Sequence, residues 1–157
     1  MYAASIASPI AGSSARLSTS ERITAGCLSL AAITLLSIAA WLVPSGTGMG
    51  THTQLGIPTC TWPMTLGMPC PSCGMTTSFA LAADGRFIDS ARTQPFGFAL
   101  AVGAAGFAVA SALGALTGSR ILGAVTGSVG GKFWWWMGAF ALLAWGYKIL
   151  VFRGLIS

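Results

Sequence analysis

The sequence predicts an all-α membrane protein with three full transmembrane helices, a fourth hydrophobic helix that is Pro-broken and short or partial, and one interfacial helix. Three observations carry this reading. Hydrophobic residues make up 54% and charged residues only 7% of the 157 positions, against about 25% charged in an average soluble chain. The mean hydropathy is +0.76. The apolar residues also gather into uncharged runs close to the ~20 residues a helix needs to cross a ~30 Å hydrocarbon core. A chain of this length holds three or four such helices and little else, so residues 18–157 read as a single helical membrane domain.

Residues 1–17 are rich in Ala and Ser, include Pro9 and Gly12, and show no apolar periodicity, so they read as a disordered N-terminal tail. Ser18-Thr19-Ser20-Glu21 then has the pattern of a capping box. The first span covers about residues 23–43, uncharged from Ile23 to Val43 and stopped by Pro44. That length argues against a cleaved signal peptide, whose apolar core is only about 7–15 residues.

Residues 45–62 contain Gly46, Gly48, Gly50, Gly56 and Pro58, the composition of an irregular loop, together with the only histidine, His52. A second apolar stretch covers 64–83, but Pro69 and Pro71 interrupt it. A regular helix is expected to begin at Pro71, with Cys70 as its cap. From there to Ala83 such a helix is roughly 20 Å long, short of the hydrocarbon core.

Asp84-Gly85 closes this segment, and Arg86 to Gln94 follows with Phe87, Ile88 and Ala91 on one side and Arg86, Asp89 and Arg92 on the other. This is the pattern of a helix lying along an interface. Pro95 opens the third run, 96–116, in which Ala99, Gly103, Gly106, Ala110 and Gly114 form a shallow Gly/Ala face suited to close helix contact, within the chain or with a membrane protein partner. A glycine-rich link from Gly118 to Gly131 leads to the last span, 133–152. Trp134, Trp135 and Trp136 enter it as an aromatic belt at the headgroup level, and Tyr147, Lys148 and Arg153 leave it.

The net charge of +5 comes from basic residues scattered singly along the chain, which excludes a nucleic-acid surface and leaves the lipid bilayer as the main partner. If the broken segment crosses, Arg16, Arg22, Arg86, Arg92, Lys148 and Arg153 share one side, with only Arg120 and Lys132 opposite. The positive-inside rule then favours four crossings with both termini cytoplasmic. No span carries an ionisable residue well inside it, which speaks against transport.

Chemistry is confined to the cysteines. Cys27 sits within the first apolar run and reads as a small helix-contact residue. Cys60, Cys70 and Cys73 lie close in sequence. At a helix start, Cys70 and Cys73 would both be drawn toward the thiolate, with Thr76 and Thr77 placed to donate to Cys73. Three readings stay open. Cys60, Cys70 and Cys73 with His52 supply the Cys₃His set that suits tetrahedral zinc. Cys70 and Cys73 can instead cycle between dithiol and disulfide, with Cys60 as resolving partner. In the third reading the thiols are apolar fillers of a tight helix entrance, and His52 is a solvated loop residue. With only Glu21, Asp84 and Asp89 as acids, general acid/base catalysis has few candidates.

Cys60, the run Leu66-Gly67-Met68-Pro69-Cys70-Pro71-Ser72-Cys73-Gly74-Met75-Thr76, and then Leu81, Gly85, Phe87, Ala91, Pro95 and Phe96 resemble the signature of a bacterial membrane family, domain of unknown function 2752. Many members carry Arg after the last residue of Cys-Pro-x-Cys-Gly-x-Thr, where this chain has Thr77. The resemblance implies a common site at Cys60, Cys70, Cys73, Gly74 and Thr76 and a bacterial inner-membrane location, and it brings no activity. The sequence therefore reads as a small, non-enzymatic membrane component with a cysteine cluster able to bind zinc. The alternatives are a membrane thiol-disulfide oxidoreductase and an interaction subunit of a larger membrane complex.

Overall fold

Small residues facing one another at helical spacing allow two long helices to pack closely, and they form the frame of the computed structural model, which describes residues 16–119 and 130–155. Helix α1 is Thr19–Trp41. Its start is the predicted capping box: the Glu21 amide donates to Ser18 Oγ at 3.3 Å and the Ser18 amide to Glu21 Oε2 at 2.7 Å. Next come a 3₁₀ turn, Thr51–Leu55, and short helices α2, Trp62–Leu66; α3, Met75–Ala83; and α4, Phe87–Thr93. Long helix α5, Pro95–Thr117, and the last helix, α6, Gly131–Phe152, complete the order. Helices α1, α5 and α6 are long and apolar enough to span a membrane, as an integral membrane protein requires. The regions expected to form a disordered tail and the Gly118–Gly131 link fall largely outside the described residues.

Helices α1 and α5 run antiparallel. Small residues are buried on both helices, Ala25, Ser29 and Ala39 on α1 and Ala101, Ala108 and Ser111 on α5, and Ser29 Oγ donates to the Ala108 carbonyl at 3.0 Å. At one end of the pair, the Leu17 amide donates to Gly118 O at 2.9 Å, and the Arg22 guanidinium donates to the carbonyls of Ala115 and Leu116 at 2.8 and 3.0 Å. Arg22 thus satisfies carbonyls that the end of α5 leaves without helical partners. Of the predicted Gly/Ala face, Gly114 is buried, but Ala99, Gly103 and Gly106 are exposed, and a Cβ on either of those two glycines would touch nothing within 4 Å. The helix contact uses neighbouring positions instead. Cys27, expected at a helix contact, is exposed on α1.

All residues between α1 and α5 leave and return at the opposite end of this pair. Helices α3 and α4 form a hairpin there, locked by Ser78 and Ser90, both buried, whose hydroxyls lie 2.8 Å apart and each donate to the other residue's carbonyl. Its turn is a glycine C-cap: Gly85, at φ +77°, directs the Arg86 amide back to Leu81 O at 2.9 Å. Helix α6 reaches the same end, where Phe140, near its middle, meets Phe96 edge to face. Trp134, Trp135 and Trp136 stay exposed.

The 64–83 stretch is broken, as expected, into the short helices α2 and α3, and among the described residues three helices have span length. Helix α3, at nine residues, is about 14 Å long and turns into α4 at Gly85. Two expectations are corrected. Helix α3 begins at Met75 rather than Pro71, because Gly74 at φ +87° breaks the helical path behind Cys73. Lys148, expected to leave α6 for the headgroups, is buried.

Candidate functional site

The cysteine site grows from two turns that proline and glycine impose. Gly67, at φ +62°, ends α2, and Met68-Pro69-Cys70 follows it, returning the Cys70 thiol to the neighbourhood of Cys60. Pro71-Ser72-Cys73-Gly74 then makes a tight turn in which the Cys73 amide donates to Cys70 O at 3.0 Å and the Met75 amide to Ser72 O at 3.1 Å. The result brings Cys60, Cys70 and Cys73 Sγ within 4.8 Å of one another. Cys70 and Cys73 Sγ are 2.8 Å apart, and the Cys70 amide donates to Cys73 Sγ at 3.3 Å.

The surroundings pin this turn in place. Trp145 Nε1 on α6 donates to the carbonyl of buried Pro69 at 2.9 Å. Lys148 Nζ donates to Thr93 O at 2.9 Å and to Gly48 O at 3.2 Å, tying α6 to the end of α4 and to the loop behind α1. Gln94, buried between α4 and α5, donates through Nε2 to Pro71 O at 3.2 Å. Thr77 is fully buried and bonds Thr51 at 2.8 Å between hydroxyls, while the Ser45 amide donates to the same Thr51 oxygen at 3.0 Å. At the position where many members of the resembled family carry Arg, this chain therefore has a neutral, buried side chain that holds the loop preceding Cys60.

Trp145→Phe puts a smaller ring without a donor in place of the indole, leaving a buried carbonyl without its partner. It is expected to cost about 1–2 kcal/mol, read as a lower midpoint in thermal unfolding of the purified protein; an unchanged midpoint would show that the Pro69 contact does not hold the turn.

The two paired sulfurs are electrostatically unequal. Burial pushes the Cys70 thiol up, but hydrogen bonds from Cys73, Ser72 and Cys60 outweigh it and hold Cys70 below the ordinary value of 9.0. Cys73 is more deeply buried, and burial together with its bond to Cys70 pushes it up to about 12. The expectation that a helix start draws both toward the thiolate thus fails for Cys73, since the helix begins two residues later.

The remaining predicted residues fall around the same spot. His52 lines the same cavity as the cysteines, and its Nε2 contacts Pro58 O at 3.3 Å. Among the described residues, only the three cysteines gather as a group of metal-ligating atoms. Neither threonine bonds Cys73: Thr77 is held by Thr51, and Thr76 faces the cavity. The framing residues Lys148, Trp145, Gln94 and Ser78 were not found from sequence. For Lys148, Trp145 and Ser78 the only signal was a polar atom inside an apolar segment, and Gln94 closes the amphipathic segment Arg86 to Gln94 with no signal of its own.

The cavity beside the sulfurs holds about 500 Å³. Leu35, Ile38 and Leu42 of α1 and its following turn form one wall, and Met75, Thr76 and Phe79 of α3 another.

Residues 60–108, from the first clustered cysteine to the middle of α5, match the family model described as "Protein of unknown function (DUF2752)". No curated protein and no solved structure matches the chain. The matched stretch contains the three cysteines, Gly74, Thr76 and the α3–α4 hairpin, and leaves out Trp145 and Lys148, which brace them.

Proposed function

We propose that this protein is a bacterial inner-membrane thiol protein in which Cys70 and Cys73 cycle between dithiol and disulfide, with Cys60 as a third thiol in reach. The observation that carries this is the 2.8 Å contact between Cys70 and Cys73 Sγ. Zinc with bonds of about 2.3 Å to sulfur would hold two thiolates about 3.8 Å apart along a tetrahedral edge. The pair is closer than that, toward the ~2.0 Å of a disulfide. The unequal protonation supports the same reading. A dithiol that exchanges disulfides works best with one sulfur drawn toward the thiolate to attack and the other held neutral, the directions in which Cys70 and Cys73 are shifted.

A second reading, structural zinc, draws on the convergence of all three sulfurs within 4.8 Å. His52 would be its fourth ligand, after its ring turns from Pro58 O. In the thiol reading the site belongs to an oxidoreductase; in the zinc reading it belongs to a non-enzymatic component.

One experiment separates them. The protein is purified without chelator, analysed for metal, then treated with diamide and mapped by mass spectrometry. The thiol reading expects a Cys70–Cys73 disulfide, reversed by dithiothreitol, and less than 0.1 zinc per chain. Stoichiometric zinc, lost in Cys60→Ser and protecting the thiols from diamide, would overturn it.

A further inference from the structure

We propose that the cavity beside the three sulfurs is the seat of a membrane quinone, which accepts the two electrons released when Cys70 and Cys73 join. This rests on the dithiol reading above and adds the oxidant. A dithiol buried at one end of a membrane helix bundle needs an electron acceptor able to reach it, and the cavity wall restricts which kind can.

The lining holds no Asp, Glu, Lys or Arg. Leu35 and Ile38, on a span-length helix, are 50% and 41% exposed, so this side of the cavity opens toward lipid. A charged oxidant such as a glutathione-type disulfide, with several carboxylates and two ammonium groups, would lose its hydration there with no Lys, Arg, Asp or Glu to pair with, at a cost of several kcal/mol or more. A quinone ring would not. About 500 Å³ falls within the roughly 300–1,000 Å³ of small-molecule sites, enough for a substituted ring with its isoprenoid tail trailing past Leu35 into the bilayer.

The polar groups suit the ring's two carbonyl oxygens. Thr76 faces the cavity, and its hydroxyl bonds no other group among the described residues. Ser72, on the same wall, has its hydroxyl 3.4 Å from Cys70 Sγ. The step balances without another reagent. One S–S bond forms between Cys70 and Cys73, and the quinone gains two electrons and two protons to become a quinol. One proton comes from Cys73 and the other from Cys70, or from water where Cys70 is already a thiolate.

The test uses the full chain in nanodiscs, reduced and desalted, with a short-chain ubiquinone analogue substituted at every ring carbon, so that simple thiol arylation is blocked. The expected result is one quinol per chain with the Cys70–Cys73 disulfide. Ile38→Trp, which fills the cavity from its lipid side, should slow quinone oxidation tenfold or more while diamide oxidises the pair at the wild-type rate. Leu35→Trp should do the same and serves if Ile38→Trp fails to fold. Quinone oxidation as fast in both variants as in the wild type would overturn the seat. A disulfide formed by diamide but not by quinone would overturn the proposal and leave the dithiol reading standing. No Cys70–Cys73 disulfide with either oxidant would overturn both.

Discussion

Gly74→Ala is expected to destabilise the folded protein by about 3 kcal/mol, and Gly67→Ala by only about 1 kcal/mol, although both glycines adopt left-handed backbone beside the cysteines. The backbone term is common to both, since φ is +87° at Gly74 and +62° at Gly67. The surroundings differ. A Cβ at Gly74 would lie 2.8 Å from Gly48 O and 3.0 Å from Lys148 Nζ, whereas one at Gly67 would meet nothing within 4 Å. Gly48 O is backbone and is itself held by the Lys148 ammonium, so relief at Gly74 requires the loop to move and that bond to lengthen. Thermal unfolding followed by tryptophan fluorescence should give a clearly lower midpoint for Gly74→Ala. Equal losses in the two variants would mean that backbone conformation alone requires glycine and that the contact with Gly48 and Lys148 is slack.

Alkylation of the reduced protein at pH 8 should modify Cys70 at least a hundredfold faster than Cys73. Only the thiolate reacts. Cys70 is held below 9.0, so more of it is ionised at this pH than of an ordinary thiol, and its rate should flatten as pH rises past its own pKa. Cys73 is pushed up to about 12, so at pH 8 roughly one molecule in 10⁴ carries the thiolate. Its rate should climb about tenfold per pH unit through pH 10. At 8% exposure, access slows it further. Iodoacetamide labelling with peptide mapping across pH 6–10 reads both profiles. In Cys73→Ala, Cys70 loses a hydrogen-bond donor that favours its thiolate, so its profile should move to higher pH while labelling persists. Labelling of Cys73 ahead of Cys70 in the wild type would reverse the roles of the two sulfurs in the proposed cycle.

These two experiments address the same turn from its backbone and from its chemistry. The glycine test asks whether α6 and the loop behind α1 press on the turn. The labelling test asks whether that confinement leaves the two sulfurs unequal. The protonation asymmetry belongs to the folded turn, because burial of Cys73 and its bond to Cys70 both depend on the position of the Cys70 chain above α3.

Much of the frame was legible in the sequence because its causes are local. The uncharged runs, the Ser18/Glu21 capping box, the Asp84-Gly85 stop and Pro95 at the start of α5 each act within a few residues, and the structure has each of them. The closeness of Cys70 and Cys73 was local too. The helix start was misplaced because Pro71 is a good first helical residue in isolation, while Gly74 three residues on adopts a conformation that only the packed turn requires. Lys148 was misread because a lysine near the end of an apolar run has two solutions, snorkelling to the headgroups or bonding buried carbonyls, and the carbonyls of Gly48 and Thr93 are distant in sequence.

By itself, then, the sequence determined a helical membrane chain, the ends of most of its helices and the residues on which chemistry can occur, since length, hydropathy, caps and thiol spacing all act along the chain. Tertiary structure alone decided that the chain between α1 and α5 returns to the end it left, that Cys60 comes within 4.8 Å of the pair, that Thr77 and Lys148 are buried, and that a lipid-side cavity adjoins the sulfurs. Those facts depend on which carbonyls and side chains meet across tens of residues, and apolar helices of nearly uniform composition carry no local record of their partners.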